Sequence, residues 1–389
     1  MLKSDRDYTL VLLFTVNLAL TLSSETVNAL LPLFIQSLGA TVVDVGAVFT
    51  IAGAFSAVMM VLSGIFTDRY GRRKVIMFST ILSSGAIFYS LTSNWMETIP
   101  ITILTSASLS IFLPARMALV ADYTHVKKRA MTYSLMNLAW PIGGLFGPAI
   151  SGYLADMYGW NEIFYFAAVM SLASLIASLR IREPKAEKRS IVSSRRFDGQ
   201  FNFGKYKFII ICHTLISLFF GTARGMLYPV VPFYLTEKLL LNRTELGIFL
   251  SITYGLAVIA TQPIAGVLAS KVGSKNILLI GALGAPLTIF VFPFFKDLPV
   301  LYLLYMAQFA FWSMTWPTSI SLLLESLPSS QWGLASAIRS TGFRVGFFIG
   351  PLLGSSLWEY VSPTSPFYGA ALAYALTIPL AIFIKKLSP

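Results

Sequence analysis

Charged side chains fall well inside long apolar runs at Glu25, Arg116, Arg224, Arg339 and Arg344. A lone charge at the centre of a membrane helix costs about 2.5–3.5 kcal/mol on insertion scales, so such a residue lines a cavity or pairs. Glu25, Arg224 and Arg344 lie near the middles of their runs. Arg339 lies nearer an end, and Arg116 lies about one turn from one, placed to snorkel into water or to join Asp122. For Glu25 three roles stand open. It could carry a coupling proton, because burial favours a neutral carboxyl. It could be a permanent ionic partner, or a structural group. One carboxylate against two central guanidiniums leaves an excess positive charge. That balance favours a cargo bearing a carboxylate, phosphate or sulfonate, which arginine binds bidentately. A further set, Gln308, Trp312, Thr315, Trp316 and Ser319, recurs at three- and four-residue spacing and so shares one helix face. Aromatics with a few polar groups suit a cavity wall; the alternative is a packing or lipid face. Asn28, Asn137, Trp140, Tyr228 and Tyr254 are weaker candidates of the same kind, Asn28 lying about one turn beyond Glu25.

The elements that hold these groups follow from composition. Of 389 residues, 56% are hydrophobic and 12% are charged, with mean hydropathy +0.73. Soluble domains carry about twice that charged fraction. Apolar stretches of membrane-spanning length recur at about 9–36, 42–66, 75–94, 98–121, 131–155 and 161–180, then about 207–235, 244–268, 275–295, 299–323, 332–359 and 364–384. The first is too long for a signal peptide and reads as a retained helix. The net charge of +12 would suit nucleic acid, but its distribution does not. Loops on the side of the termini hold 22 of the 29 Lys and Arg residues. That places both termini in the cytoplasm. The stretch 181–206 reads as a basic cytoplasmic linker lying at lipid headgroups. The single cysteine, Cys212, reads as a buried, inert thiol. His125 and His213 have no metal-ligand spacing, and no Gly-x-x-x-x-Gly-Lys-Ser/Thr loop is present. No cofactor, metal or nucleic acid is expected.

The chain also repeats itself at an offset of about 200. Gly64-x-x-x-Asp68-Arg69-x-Gly71 aligns with Gly266-x-x-x-Ser270-Lys271-x-Gly273, Pro114 with Pro317, Asp122 with Glu325, and Gly147-Pro148 with Gly350-Pro351. The stretch from Gly64 to Lys74 cannot sit in hydrocarbon, so it must be a tight aqueous turn between spans. Gly71 can take the positive φ such a turn often needs. With Arg72 and Arg73, it resembles the signature loop of the major facilitator superfamily, the twelve-helix secondary transporters, and the resemblance covers essentially the whole chain.

The resemblance implies an all-α integral membrane fold of twelve transmembrane helices in two pseudo-symmetric six-helix halves, 1–180 and 207–389, joined by the linker 181–206. It implies that Gly64, Asp68, Arg69, Gly71, Arg72 and Arg73 form a cytoplasmic latch with Asp122 and Arg129. The second copy departs, with Ser270 for the aspartate and Trp332 for Arg129, and Glu325 is expected to meet Arg339 instead. Helices 1 and 7 line the central cavity in this fold, which sets Glu25 facing Arg224. Gly143, Gly147 and Pro148, and their counterparts Gly350 and Pro351, resemble the glycine–proline motif of proton-coupled drug exporters in this family; close helix packing is the plainer reading. The basic motif such exporters often carry early in helix 4 is absent, with Thr102 and Ser106 in that stretch. The expected function is alternating-access transport of a small organic solute, an organic anion or zwitterion being favoured, coupled to protons or to sodium. Multidrug efflux is the competing reading. A non-transporting membrane receptor on the same fold is the alternative from another class. An enzyme is not expected, and a monomer is.

Overall fold

A chain whose backbone lies in hydrocarbon must satisfy its own amides, and helices do this within one segment. The computed structural model describes residues 5–125, 128–183, 203–328 and 331–387, and no strand occurs among them. Lys3, Lys127 and the basic residues between 184 and 202 lie outside the described residues.

Twelve helical segments follow in order. They are α1 Asp5–Ser37, α2 Val42–Tyr70, α3 Arg72–Leu91 and α4 Thr98–Tyr123. Next come α5, in the pieces Arg129–Asn137 and Ala139–Met157, and α6 Trp160–Leu179. The second series is α7 Phe203–Phe233, α8 Arg243–Val272, α9 Ser274–Val291, α10 Leu298–Glu325 and α11 Trp332–Tyr360. Last is α12, in the pieces Ser365–Ala375 and Thr377–Leu387. Proline explains both breaks. Pro141 and Pro379 remove the amides that would bond the carbonyls of Asn137 and Ala375. Ten of the segments are long and apolar enough to cross a membrane by length and composition. The other two are α5, broken and rich in glycine, and α11, which carries Arg339, Arg344 and Glu359.

By contacts the chain divides into two compact units: Met1–Pro184 with Pro229–Leu256, and Lys185–Tyr228 with Ala257–Pro389. The boundaries run through α7 and α8. In the first unit α1 packs on α5 and α6, α2 on α4, and α3 on α4 and α6. Its core gathers Leu13, Val16, Ile76, Ile111, Phe112 and Leu119. Large apolar side chains such as Val58, Val61 and Ile65 stay exposed along α2, as a lipid-facing surface requires. In the second unit α9 packs on α10 and α12, and α10 on α8 and α11.

The glycine–proline segments are close-packing devices. A Cβ on Gly143 would meet the Thr21 side chain at 2.7 Å, and one on Gly147 would meet Glu25 Cβ at 2.8 Å, so α5 lies tight on α1. The near end of α8 presses on the other side of α5. A Cβ on Gly152 would clash with the Arg243 carbonyl oxygen, and one on Gly247 with that of Pro148. In the second unit Gly346, Gly350 and Gly354 bring α11 against α7 in the same way.

Candidate functional site

The charged loop is built on one backbone feature. Gly71 takes φ 93° and ends α2 as α3 begins. The first amides of α3 are orphan donors at a positive helix end. Glu183, just past α6, meets them: the Arg72 and Arg73 amides each donate to its carboxylate at 2.8 Å. Sequence reasoning missed Glu183. An acid in a basic stretch was visible, but only the packing of α6 on α3 brings it here. Arg72 Nε donates to Asp122 Oδ2 at 3.1 Å, with both side chains mostly buried. Arg73 Nη2 donates to the Leu179 carbonyl at 2.6 Å. Arg129 closes on the end of α4, its Nη2 donating to Ala121 O at 3.0 Å. The structure thus brings Gly71, Arg72, Arg73, Asp122 and Arg129 together with Glu183 inside the first unit. Asp68 and Arg69 are exposed beside them. Arg69 packs over Tyr70 at 5.5 Å, and Asp68 joins no ion pair among the described residues. Gly64 has open space around it.

Arg116 neither snorkels nor joins Asp122. It is 3% exposed, and its Nη2 donates to Asn137 Oδ1 of α5 at 2.9 Å. The expected meeting of Glu325 with Arg339 does not occur either. Glu325 Oε1 accepts from Ser321 one turn back on its own helix, and Arg339 turns inward. Its Nε donates to Ser319 Oγ and its Nη2 to Trp316 O, each at 3.2 Å, with the guanidinium 4.4 Å over the Trp316 ring.

Trp312, Thr315, Trp316 and Ser319 line one small cavity with Ser217 and Arg339. Gln308, a turn away, donates to the Tyr374 hydroxyl at 2.6 Å. Arg224 is packed between rings, 4.9 Å from Phe309 and 4.6 Å from Trp312. Those contacts set the guanidinium against aromatic rings, where a cation is attracted to the ring face. Arg344 is half-buried on α11. Glu25 is half-buried in the first unit, beside the α1–α5 contact. Asn28 donates to Ser24 Oγ at 2.9 Å. Tyr228 packs on Phe347, and Tyr254 lies against Gly144. Cys212 is buried, and His213 is fully buried with Nδ1 3.0 Å from Ser319 Oγ.

The sequence matches the family model of the Major Facilitator Superfamily over residues 13–209 and 214–389. The chain belongs to that superfamily. Among curated relatives, it is 25% identical over 354 residues to the cis,cis-muconate transport protein of Acinetobacter baylyi, covering 86% of this chain and 84% of that one. It is 24% identical over 364 residues to the multidrug resistance protein MdtG of Enterobacter lignolyticus, covering 91% and 84%. Solved superfamily structures share the fold. The crystal structure of nucleoside transporter NupG matches with TM-score 0.81 at 13% identity, covering 98% of this chain and all of that one. That of a D-xylose–proton symporter matches with TM-score 0.72 at 16% identity, covering 99% and 97%. As a superfamily member with this twelve-helix fold, the chain is a multi-pass membrane protein and a secondary transporter of small molecules.

Proposed function

We propose that this transporter moves an organic anion or zwitterion across the cytoplasmic membrane by alternating access, with Arg224 holding the anionic group. The observation that carries the reading is the setting of Arg224: a guanidinium in mid-helix, stacked against Phe309 and Trp312. A planar fork held by aromatic faces is pre-organised for bidentate recognition of a carboxylate. Arg344 adds positive charge on α11. A relative named for cis,cis-muconate, an organic anion, supports the same cargo class. Glu25 is the proposed proton carrier, and a permanent ionic role is the competing one for it.

The reading includes two six-helix halves at 1–180 and 207–389, both termini cytoplasmic, and a monomer held among lipids. It includes no catalytic role. Asp68 with Arg69 is proposed to open and close the cytoplasmic side. Multidrug efflux is the second reading, favoured by relatives named for multidrug resistance and by Gly143, Gly147 and Pro148.

The test is a thermal-shift screen of the detergent-purified chain with matched organic anions, zwitterions and lipophilic cations. A ligand at 100 times its Kd stabilises by about 2.7 kcal/mol. Shifts by anions that vanish in Arg224→Ala are expected. Shifts by several unrelated lipophilic cations, lost in Glu25→Gln, would replace this reading with drug efflux.

A further inference from the structure

Trp312 and Trp316 stand one turn apart on α10 and each carries a different arginine. Arg224 lies over the first and Arg339 over the second. The second arginine poses a problem of charge. Arg339 is 2% exposed, too deep for water to solvate its guanidinium. Its acceptors are neutral, the Ser319 hydroxyl and the Trp316 carbonyl. Nη1 has no partner, and no ion pair to Arg339 forms among the described residues. Buried cations in native proteins are paired, because attraction to an opposite charge must offset the lost hydration.

The surroundings repeat the imbalance. Arg339 lines the small cavity it shares with Ser217 on α7 and Trp312 on α10. Each of these three residues keeps a buried atom able to donate a hydrogen bond and lacking a partner among the described residues: Arg339 Nη1, Ser217 Oγ and Trp312 Nε1. Behind them, Ser319 Oγ is already engaged by Arg339 and His213. Three unused donors and a net positive charge around one cavity are complementary to an acceptor that carries negative charge. Water would accept from them but would leave the guanidinium uncompensated. The cavity has room for about one water-sized group, which suits a halide or a single carboxylate oxygen.

We propose that this cavity, between α7, α10 and α11, is a binding site for a small anion, either a halide or the end of a carboxylate, separate from the site at Arg224. It is carried by its own geometry and stands whether or not the transported cargo is an anion.

The experiment uses the full chain in detergent. Thermal unfolding and tryptophan emission are titrated with sodium chloride and, separately, sodium formate, at constant sodium with methanesulfonate as the balancing anion. A saturable rise in Tm with a change in emission is expected for at least one probe. Response to chloride alone assigns a halide site; response to formate assigns a carboxylate site. Arg339→Gln should abolish the response. Ser217→Ala, which keeps the charge, and Trp312→Phe, which removes the indole donor but trims a ring that Arg224 also lies over, should each weaken the apparent Kd by about threefold to tenfold, and Ser217→Ala carries the test if Arg339→Gln fails to fold. No saturable response in the unmodified chain would overturn the site. So would responses unchanged in Ser217→Ala and Trp312→Phe. A response lost in Arg224→Gln but kept in Arg339→Gln would belong to the substrate site and would also overturn it.

Discussion

Two loops of this chain turn on the same backbone and carry different chemistry. Between α2 and α3, Gly71 takes φ 93°; between α8 and α9, Gly273 takes φ 88°. At the first, Glu183 caps the new helix, and Arg72 pairs with Asp122. At the second, the N-cap residue is Gly273 itself, and Ser270 bonds back to Val267 in its own helix. The counterparts one loop further on sharpen the contrast. Arg129 donates to the Ala121 carbonyl at the end of α4 at 3.0 Å, and Trp332 donates through its indole to the Leu324 carbonyl at the end of α10 at 2.9 Å. These residues correspond under the internal repeat. A neutral N–H therefore does the same capping work as a guanidinium. Both turns use a glycine and both helix ends a donor; among the described residues, the Glu183 cap and the Arg72–Asp122 pair belong to the first loop.

The largest expected effect separates the charge of the first loop from stability. Asp68 is exposed and joins no ion pair among the described residues. Asp68→Asn should leave Tm unchanged yet slow transport in proteoliposomes at least about tenfold, a change of about 1.4 kcal/mol in barrier. A parallel fall in Tm would make Asp68 structural and remove it from the gate. Next, Asp122→Asn leaves the mostly buried Arg72 without its charge partner and should cost about 2 kcal/mol in unfolding. Its counterpart Glu325→Gln should give no resolvable change, because Glu325 bonds only Ser321 among the described residues. Equal losses would mean the two loops are not chemically different.

Alanine at either glycine meets a positive φ with an extended ψ and should cost about 1–3 kcal/mol. Gly71→Ala should cost more than Gly273→Ala. A Cβ there would come within 2.9 Å of the Glu183 carboxylate, while nothing lies within 4 Å of one on Gly273. Equal thermal shifts for the two variants would show that the Glu183 cap adds nothing. Smallest of all, Arg129→Gln and Trp332→Phe should each lower stability by about 1 kcal/mol or less and by similar amounts. A much larger loss for Arg129→Gln would show that its charge, not its N–H, matters.

Much of the fold was legible because membrane-spanning helices write their length into the chain as apolar runs. Loop glycines were legible too: Gly71 is needed wherever a short turn demands a positive φ. The shared face of Trp312, Thr315, Trp316 and Ser319 followed from helical spacing alone. The partners of the charged residues were not legible. Glu325 was expected to meet Arg339, and Arg116 to snorkel into water or join Asp122; both guanidiniums turn instead to neutral groups on neighbouring helices. Nothing in the local sequence told which groups Glu183 and His213 would meet.

The sequence by itself determined which segments cross hydrocarbon, where the chain must turn, and that the first half repeats as the second. These follow from local rules: transfer free energy per residue, backbone sterics at glycine, and the period of the helix. Only the tertiary structure decided that α6 delivers Glu183 to the start of α3, and that α7 and α11 close a donor-lined cavity on α10. A helical position fixes a side chain's depth and face. Its partner is fixed by which helix lies opposite and how closely glycines let it approach, and that depends on the packing of the whole unit.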